Sequence, residues 1–156
     1  MKTQTLLFIS LMSVVASTAH AGVTVKFIEP ENFVDLPFMP HARASALAEI
    51  QKHFEKYGAQ MAASQNLAIE VLDIDLAGTE EQNFRHGREV RVLRGTADWP
   101  SMRLRYTLET EGRVVKSGES RLSSMNYLHQ HNRYFSNEPL RYEKQMIDGW
   151  LREALK

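Results

Sequence analysis

From Val23 the chain alternates, with Val23, Val25 and Phe27 apolar and Thr24 and Lys26 polar, the period of two that a strand buried on one side requires. Pro30, Pro37 and Pro40 interrupt this pattern, and the spacing after Pro40 becomes helical. Leu47, Ile50, Phe54, Tyr57 and Met61 recur at steps of three and four, with Arg43, Glu49, Lys52 and Glu55 on the other faces, so one stripe of this helix should be buried. Leu67 to Ala77 returns to strand character with a complication. Leu67, Ile69 and Val71 share one parity and Leu72, Ile74 and Leu76 the other, which requires either cover on both faces or a bulge that switches phase.

A strand, a helix and a second strand with this spacing predict a right-handed crossover between parallel partners. The remaining strands read as antiparallel. A short candidate at Glu89 to Arg94 ends at Gly95, and Trp99-Pro100 closes the connection that follows. Met102, Leu104, Tyr106 and Leu108 then alternate with Arg103, Arg105, Thr107 and Glu109, and Glu111-Gly112 turns the chain into Val114 to Leu122 as a hairpin. Ser123 to Asn137 is polar and reads as a long surface loop. A last helix is expected to start around Pro139, with Glu138 near its positive end and Leu140, Met146, Ile147, Trp150, Leu151 and Leu155 as its buried stripe. The fold class expected is α+β: two layers, a mixed, mostly antiparallel sheet of four or five strands, and two helices on one face. The opposite face would carry Arg103 and Arg105.

The N-terminus changes the picture of where this domain works. Lys2, the apolar stretch Leu6 to Ala16 and the small-x-small run Ala19-His20-Ala21 form the pattern of a secretory signal peptide, so residues 1–21 are expected to be removed and 22–156 to fold as one domain, periplasmic or secreted. The apolar stretch is about half of the roughly 20 residues a membrane-crossing helix needs, and no later segment is more apolar. The sequence contains no Cys, which removes disulfides, thiolate metal sites, thiol catalysis and a lipoprotein anchor.

Charge is balanced overall, with 19 Lys and Arg against 19 Asp and Glu, which argues against nucleic acid as a partner. Its distribution is uneven: residues 22–84 hold 4 basic and 10 acidic side chains, and residues 85–156 hold 14 and 9. Two readings follow. The halves compensate each other within one fold, or the second half presents a face for anions. Arg85, Arg88, Arg91 and Arg94 recur every three residues, and Arg103, Arg105, Arg113, Lys116 and Arg121 follow on the hairpin.

Asp73 and Asp75 are the leading candidates for chemistry. Positions i and i+2 on a strand point the same way, about 7 Å apart, close enough to share a hard cation or to divide acid and base roles. Cross-strand pairing with Arg91, Arg103 or Arg105 is the structural alternative. His129 and His131 flank Gln130, and His86 and His53 stand alone, but no spacing supplies the three or four ligands a metal needs. No nucleophile elbow, phosphate-binding glycine loop or metalloprotease helix is present, and no motif requires a cofactor.

Asp73-Ile74-Asp75-Leu76-Ala77-Gly78, Ala97-Asp98-Trp99-Pro100 and Tyr142-Glu143-Lys144-Gln145-Met146 with Trp150-Leu151 together resemble an uncharacterised bacterial family, domain of unknown function 3016. The resemblance spans nearly all of residues 22–156 and implies an exported single-domain protein, without a catalytic residue to carry over. It draws attention to Asp73, Asp75, Asp98, Trp99, Tyr142 and Glu143. Asp98-Trp99-Pro100 reads as a turn laying a ring over the sheet edge, Asp75 is placed to bond amides near Gly78, and Glu143 to pair with a sheet arginine.

The expected function is a non-catalytic envelope module that binds a protein, glycan or phosphorylated ligand through the open sheet face, at Arg103 and Arg105, and the Ser123 to Asn137 loop. One alternative is a small hydrolase or cation-dependent enzyme using Asp73 and Asp75 with His86. The other is a structural, self-associating envelope protein.

Overall fold

Gly22–Phe27 forms β1, Pro40–Gly58 forms α1, and Gln65–Asp75 forms β2; the computed structural model describes residues 22–83 and 88–155. Thr79–Asn83 and Arg88–Val92 are β3 and β4, Ser101–Thr110 and Arg113–Ser123 are β5 and β6, and Arg141–Ala154 is α2. The segment read as a signal peptide and the residues Arg85 and His86 lie outside the described residues, as does the side chain of Arg88.

β1 and β2 pair in parallel, from Gly22 opposite Asn66 to Phe27 opposite Val71, and α1 supplies the crossover that parallel neighbours require. β2 and β5 run antiparallel, as do β5 and β6, giving one four-stranded sheet in the order β1-β2-β5-β6. The β5–β6 turn is Glu111-Gly112 with both residues at positive φ, the geometry that matches the twist of a two-residue hairpin. β4 does not join this sheet. It pairs with β3, a polar strand the hydrophobic pattern does not announce, in a separate two-stranded ribbon.

The double parity of β2 is resolved by a bulge. Val71 faces Leu104 and Asp73 faces Arg103, so Leu72 is the extra residue, and Leu67, Ile69, Val71 and Ile74 all turn to one side. They meet Met102, Leu104, Tyr106 and Leu108 of β5, Ile50 and Phe54 of α1, and Met146, Ile147 and Leu151 of α2 in one core. Both helices therefore cover the same face. Trp150 fixes them, its ring edge-on to Phe54 at 6.3 Å and to Tyr106 at 5.3 Å.

Polar links complete the helical layer. The buried Lys144 ammonium reaches Glu49 of α1 at 3.0 Å and Glu138 at 2.5 Å. His53 Nε2 lies 2.8 Å from one oxygen of Asp148, whose other oxygen accepts the Tyr134 hydroxyl at 2.7 Å. Burial by itself raises the Asp148 pKa, but these two hydrogen bonds outweigh it and hold the carboxyl below its ordinary value. α2 begins later than expected. Leu140, left-handed at φ 51°, is its N-cap, and Pro139 precedes the helix while Glu138 serves as the partner of Lys144.

The bulge makes an asymmetric prediction. Deleting Leu72 leaves Val71 and Ile74 inward in unbroken alternation, so this variant should melt cooperatively within about 1–2 kcal/mol of the parent. Deleting Ala68 turns Ile69 and Val71 outward and Glu70 inward, forfeiting roughly 1.5–3 kcal/mol per aliphatic side chain, and should abolish the cooperative transition. Thermal melts followed by circular dichroism check both.

Candidate functional site

The far end of β2 is where chemistry-bearing residues converge. The chain at Asp35 runs alongside it, with Asp35 N–H donating to the Ile74 carbonyl at 3.1 Å and an isolated parallel bridge joining Asp35 to Asp75. Val34 N–H donates to Asp73 Oδ1 at 3.0 Å. Beyond Asp75, Leu76 and Ala77 are buried and Gly78 turns the chain at φ 82°, where a Cβ would stand 2.5 Å from the Val92 carbonyl oxygen, so only glycine fits. The turn brings β4 back, and Arg91 Nη1 reaches Asp35 at 2.6 Å and the Gly78 carbonyl at 3.2 Å.

α2 docks onto the same point. Glu143, in its first turn and only 2% exposed, accepts the Ala77 N–H at 2.8 Å. Gly78 N–H donates instead to the carbonyl of Asp98, whose carboxylate accepts Arg94 N–H at 2.7 Å. These bonds correct two expectations. Asp75 is not the residue that bonds the amides of Ala77 and Gly78, and among the described residues Glu143 forms no ion pair with a sheet arginine, Arg91 being held by Asp35.

Burial raises the Glu143 pKa above its ordinary value, and the Ala77 hydrogen bond offsets this only in part. Asp75 is also raised, first by burial and then by the neighbouring Asp35 and Asp73, with Arg91 opposing. Asp98 moves the other way: burial raises it, and the Arg94 amide and Tyr127 hydroxyl outweigh that. The Tyr127 hydroxyl is pushed up to about 12 by burial and by Asp98, although it lies off the geometry of a true hydrogen bond to the carboxylate. Tyr127 packs edge-on against Tyr142 at 4.8 Å, and the Arg141 guanidinium sits 4.7 Å above the Tyr142 ring. A cavity of about 370 Å³ opens between Arg91, Leu93, Leu140, Arg141, Tyr142 and Glu143.

Asp73, Asp75, Asp98, Tyr142 and Glu143 thus gather around one strand end. Trp99 is half-buried next to Asp98 in the chain and makes no ring–ring contact among the described residues. Asp73 and Asp75 do leave β2 on the same side, but among the described residues no group of three or more His, Asp or Glu is arranged to hold a metal. Asp35, Arg141 and the His53–Asp148–Tyr134 link carried no sequence signal, since each is a single polar residue whose partner is distant in the chain.

Arg103 and Arg105 lie elsewhere, on the open face of the sheet. Arg105 pairs with Glu70 at 3.0 Å and Glu119 at 3.7 Å across both neighbouring strands. Arg103 lies opposite Asp73 on one side and Arg121 on the other, and neither Arg103 nor Arg121 has an ion pair among the described residues. Elsewhere the two halves of the chain compensate each other through Asp35–Arg91, Glu49–Lys144, Glu70–Arg105 and Glu81–Arg94. The Ser123 to Asn137 loop does not share the open face. It is tied to α2, with Arg133 N–H donating to Gln145, Gln145 donating to the His131 carbonyl, and Asn132 donating to the Arg141 carbonyl.

Fold and site together define a two-layer α+β domain with an acid–arginine cluster at the end of its central strand. The sequence matches the family described as "Protein of unknown function (DUF3016)" over residues 21–153, and the chain belongs to that family. No curated protein matches the chain.

The buried acid makes a pH prediction. Below pH 4.5, the ordinary glutamate value, Glu143 is protonated in both folded and unfolded states. As pH rises past it, the unfolded chain ionises first, so stability falls until the raised folded-state pKa is passed and is level above. Glu143→Gln keeps an acceptor for Ala77 N–H and removes this titration. Urea unfolding should show the variant gaining on the parent as pH rises above the ordinary glutamate value of 4.5 and the gain levelling off once the raised folded-state pKa is passed. A difference independent of pH would place the penalty elsewhere.

Proposed function

We propose that this protein is an exported, non-catalytic module of the bacterial envelope that binds a phosphorylated ligand on the open face of its sheet. One observation carries the reading: Arg103 and Arg121 stand directly opposite each other on β5 and β6 with no carboxylate paired to either among the described residues. Like charges directly opposite in a sheet are destabilising, and a phosphate offers enough oxygens for two guanidinium forks to share. Arg105, committed to Glu70 and Glu119, orders the face instead of standing free.

Arg121 also borders a groove of about 600 Å³ on the helical side, lined by His131, Arg133, Arg152 and Trp150. The groove gives a ligand larger than one phosphate a path around the β6 edge. The export pattern of Leu6 to Ala16 and Ala19-His20-Ala21 supports the compartment. Among the described residues no helix is long and apolar enough to cross a membrane. The catalytic alternative has less support, because Asp73 Oδ1 is engaged by the Val34 N–H and among the described residues no group of three His, Asp or Glu could hold a metal.

The test uses glycerol phosphate followed by nuclear magnetic resonance of the arginine side chains. Replacing Arg103 and Arg121 together by Ser should weaken binding roughly tenfold or more, with the fold retained. Arg121→Glu should bind no better and yet unfold at higher urea, by about 0.2–1 kcal/mol, because it replaces a like-charge pair with an opposite one. Unchanged phosphate binding in the double variant would remove this face from consideration. An intact mass beginning at Gly22 in the envelope fraction checks export.

A further inference from the structure

We infer that the cavity beside the first turn of α2 is a binding site for a small organic carboxylate with an apolar body. At about 370 Å³ it falls within the range of small-molecule pockets, roughly 300–1,000 Å³. Its walls divide by chemistry. Ala77, Leu93 and Leu140 offer apolar surface, while Arg91 and Arg141 bring two guanidinium groups.

Each arginine has one buried nitrogen without a hydrogen-bond partner, Nη2 of Arg91 and Nε of Arg141. Such donors are rarely left unmet in a folded protein, and two guanidinium groups on one cavity wall suit the two oxygens of a carboxylate. The two arginines are matched unequally. Arg91 is matched by Asp35, but Arg141 has no carboxylate partner among the described residues, and its contacts are the ring and hydroxyl of Tyr142. Glu138 at the rim is ion-paired with Lys144 at 2.5 Å, a cation it shares with Glu49. Glu143 also lines the cavity, and its Oε1 is turned to the Ala77 N–H.

The arginines are also held in place before any ligand arrives. Arg91 is anchored by Asp35 and the Gly78 carbonyl, and Arg141 lies on the Tyr142 ring, itself wedged by Tyr127. Preorganised donors bind with less loss of side-chain freedom. Inorganic phosphate lacks the apolar body that the walls would cover, which separates this cavity from the open sheet face.

The experiment titrates isotopically labelled 22–156 protein with hexanoate, hexanol and inorganic phosphate, and follows backbone amides. Hexanoate should shift the amides of Ala77, Leu93, Tyr142 and Glu143 and bind roughly tenfold more tightly than either control. Arg141→Gln should lose that preference, and the Arg103→Ser, Arg121→Ser double variant should keep it, so this inference and the open-face proposal fail separately. Leu93→Trp, which fills the cavity and leaves both arginines, guards against misfolding of the first variant and should also abolish hexanoate shifts. Hexanoate shifts that persist in either cavity variant, equal binding of hexanol, or no shift up to about 10 mM hexanoate would overturn the assignment.

Discussion

The extra residue at Leu72 is the constraint on which the rest of the structure depends. β2, like β5, is paired on both sides, and it alone joins a parallel neighbour, β1, to an antiparallel one, β5, so its phase sets the phase of the sheet. Without the bulge, inward placement of Leu67, Ile69 and Val71 would drive Asp73 and Asp75 inward and Ile74 outward. With it, Leu67, Ile69, Val71 and Ile74 all join the core, and both aspartates turn away from the helices. The strand then delivers Ala77 and Gly78 where Glu143, Asp98 and Arg91 can bind their backbone groups.

Charge follows from this geometry. Acids from the first half of the chain meet cations from the second because the topology interleaves the halves, placing β2 beside β5 and α1 beside α2. Exposed pairs of this kind contribute little each, about 0–1 kcal/mol, so they matter here chiefly as neutralisation. Lys144 differs. Its ammonium is buried and would be costly to leave alone, and two carboxylates keep its pKa raised against the opposing effect of burial. Compensation is incomplete at Arg103, Arg121 and Arg141, and those exceptions carry the functional reading.

Glu143 shows how one polar residue can serve architecture at a cost. A carboxylic acid in the first turn of a helix sits favourably in the helix field, but burial favours its neutral form. Its hydrogen bond to Ala77 fastens α2 to the end of the central strand, and the cavity beside it exists because the helix is held there. Tyr127, Tyr142 and Arg141 stack outward from the same point and stiffen the wall.

Periodicity by itself determined the two helices, the long strands, the β5–β6 hairpin, the two-layer class and the need for a bulge or double cover near Leu72, because burial on one side writes a repeat of two or 3.6 residues into the chain. Of the residues that carried the family resemblance, the fold gathers Asp73, Asp75, Asp98, Tyr142 and Glu143 at one strand end and places Trp150 and Leu151 against the core. Only the tertiary structure decided which solution β2 adopts, that the polar β3 pairs with β4 outside the main sheet, and that Leu140 rather than Pro139 opens α2. It also decided the partners. Arg91 meets Asp35, Arg105 meets Glu70 and Glu119, and Arg103 is left facing Arg121, because a charged side chain carries no period and its partner is set by strand register and helix docking.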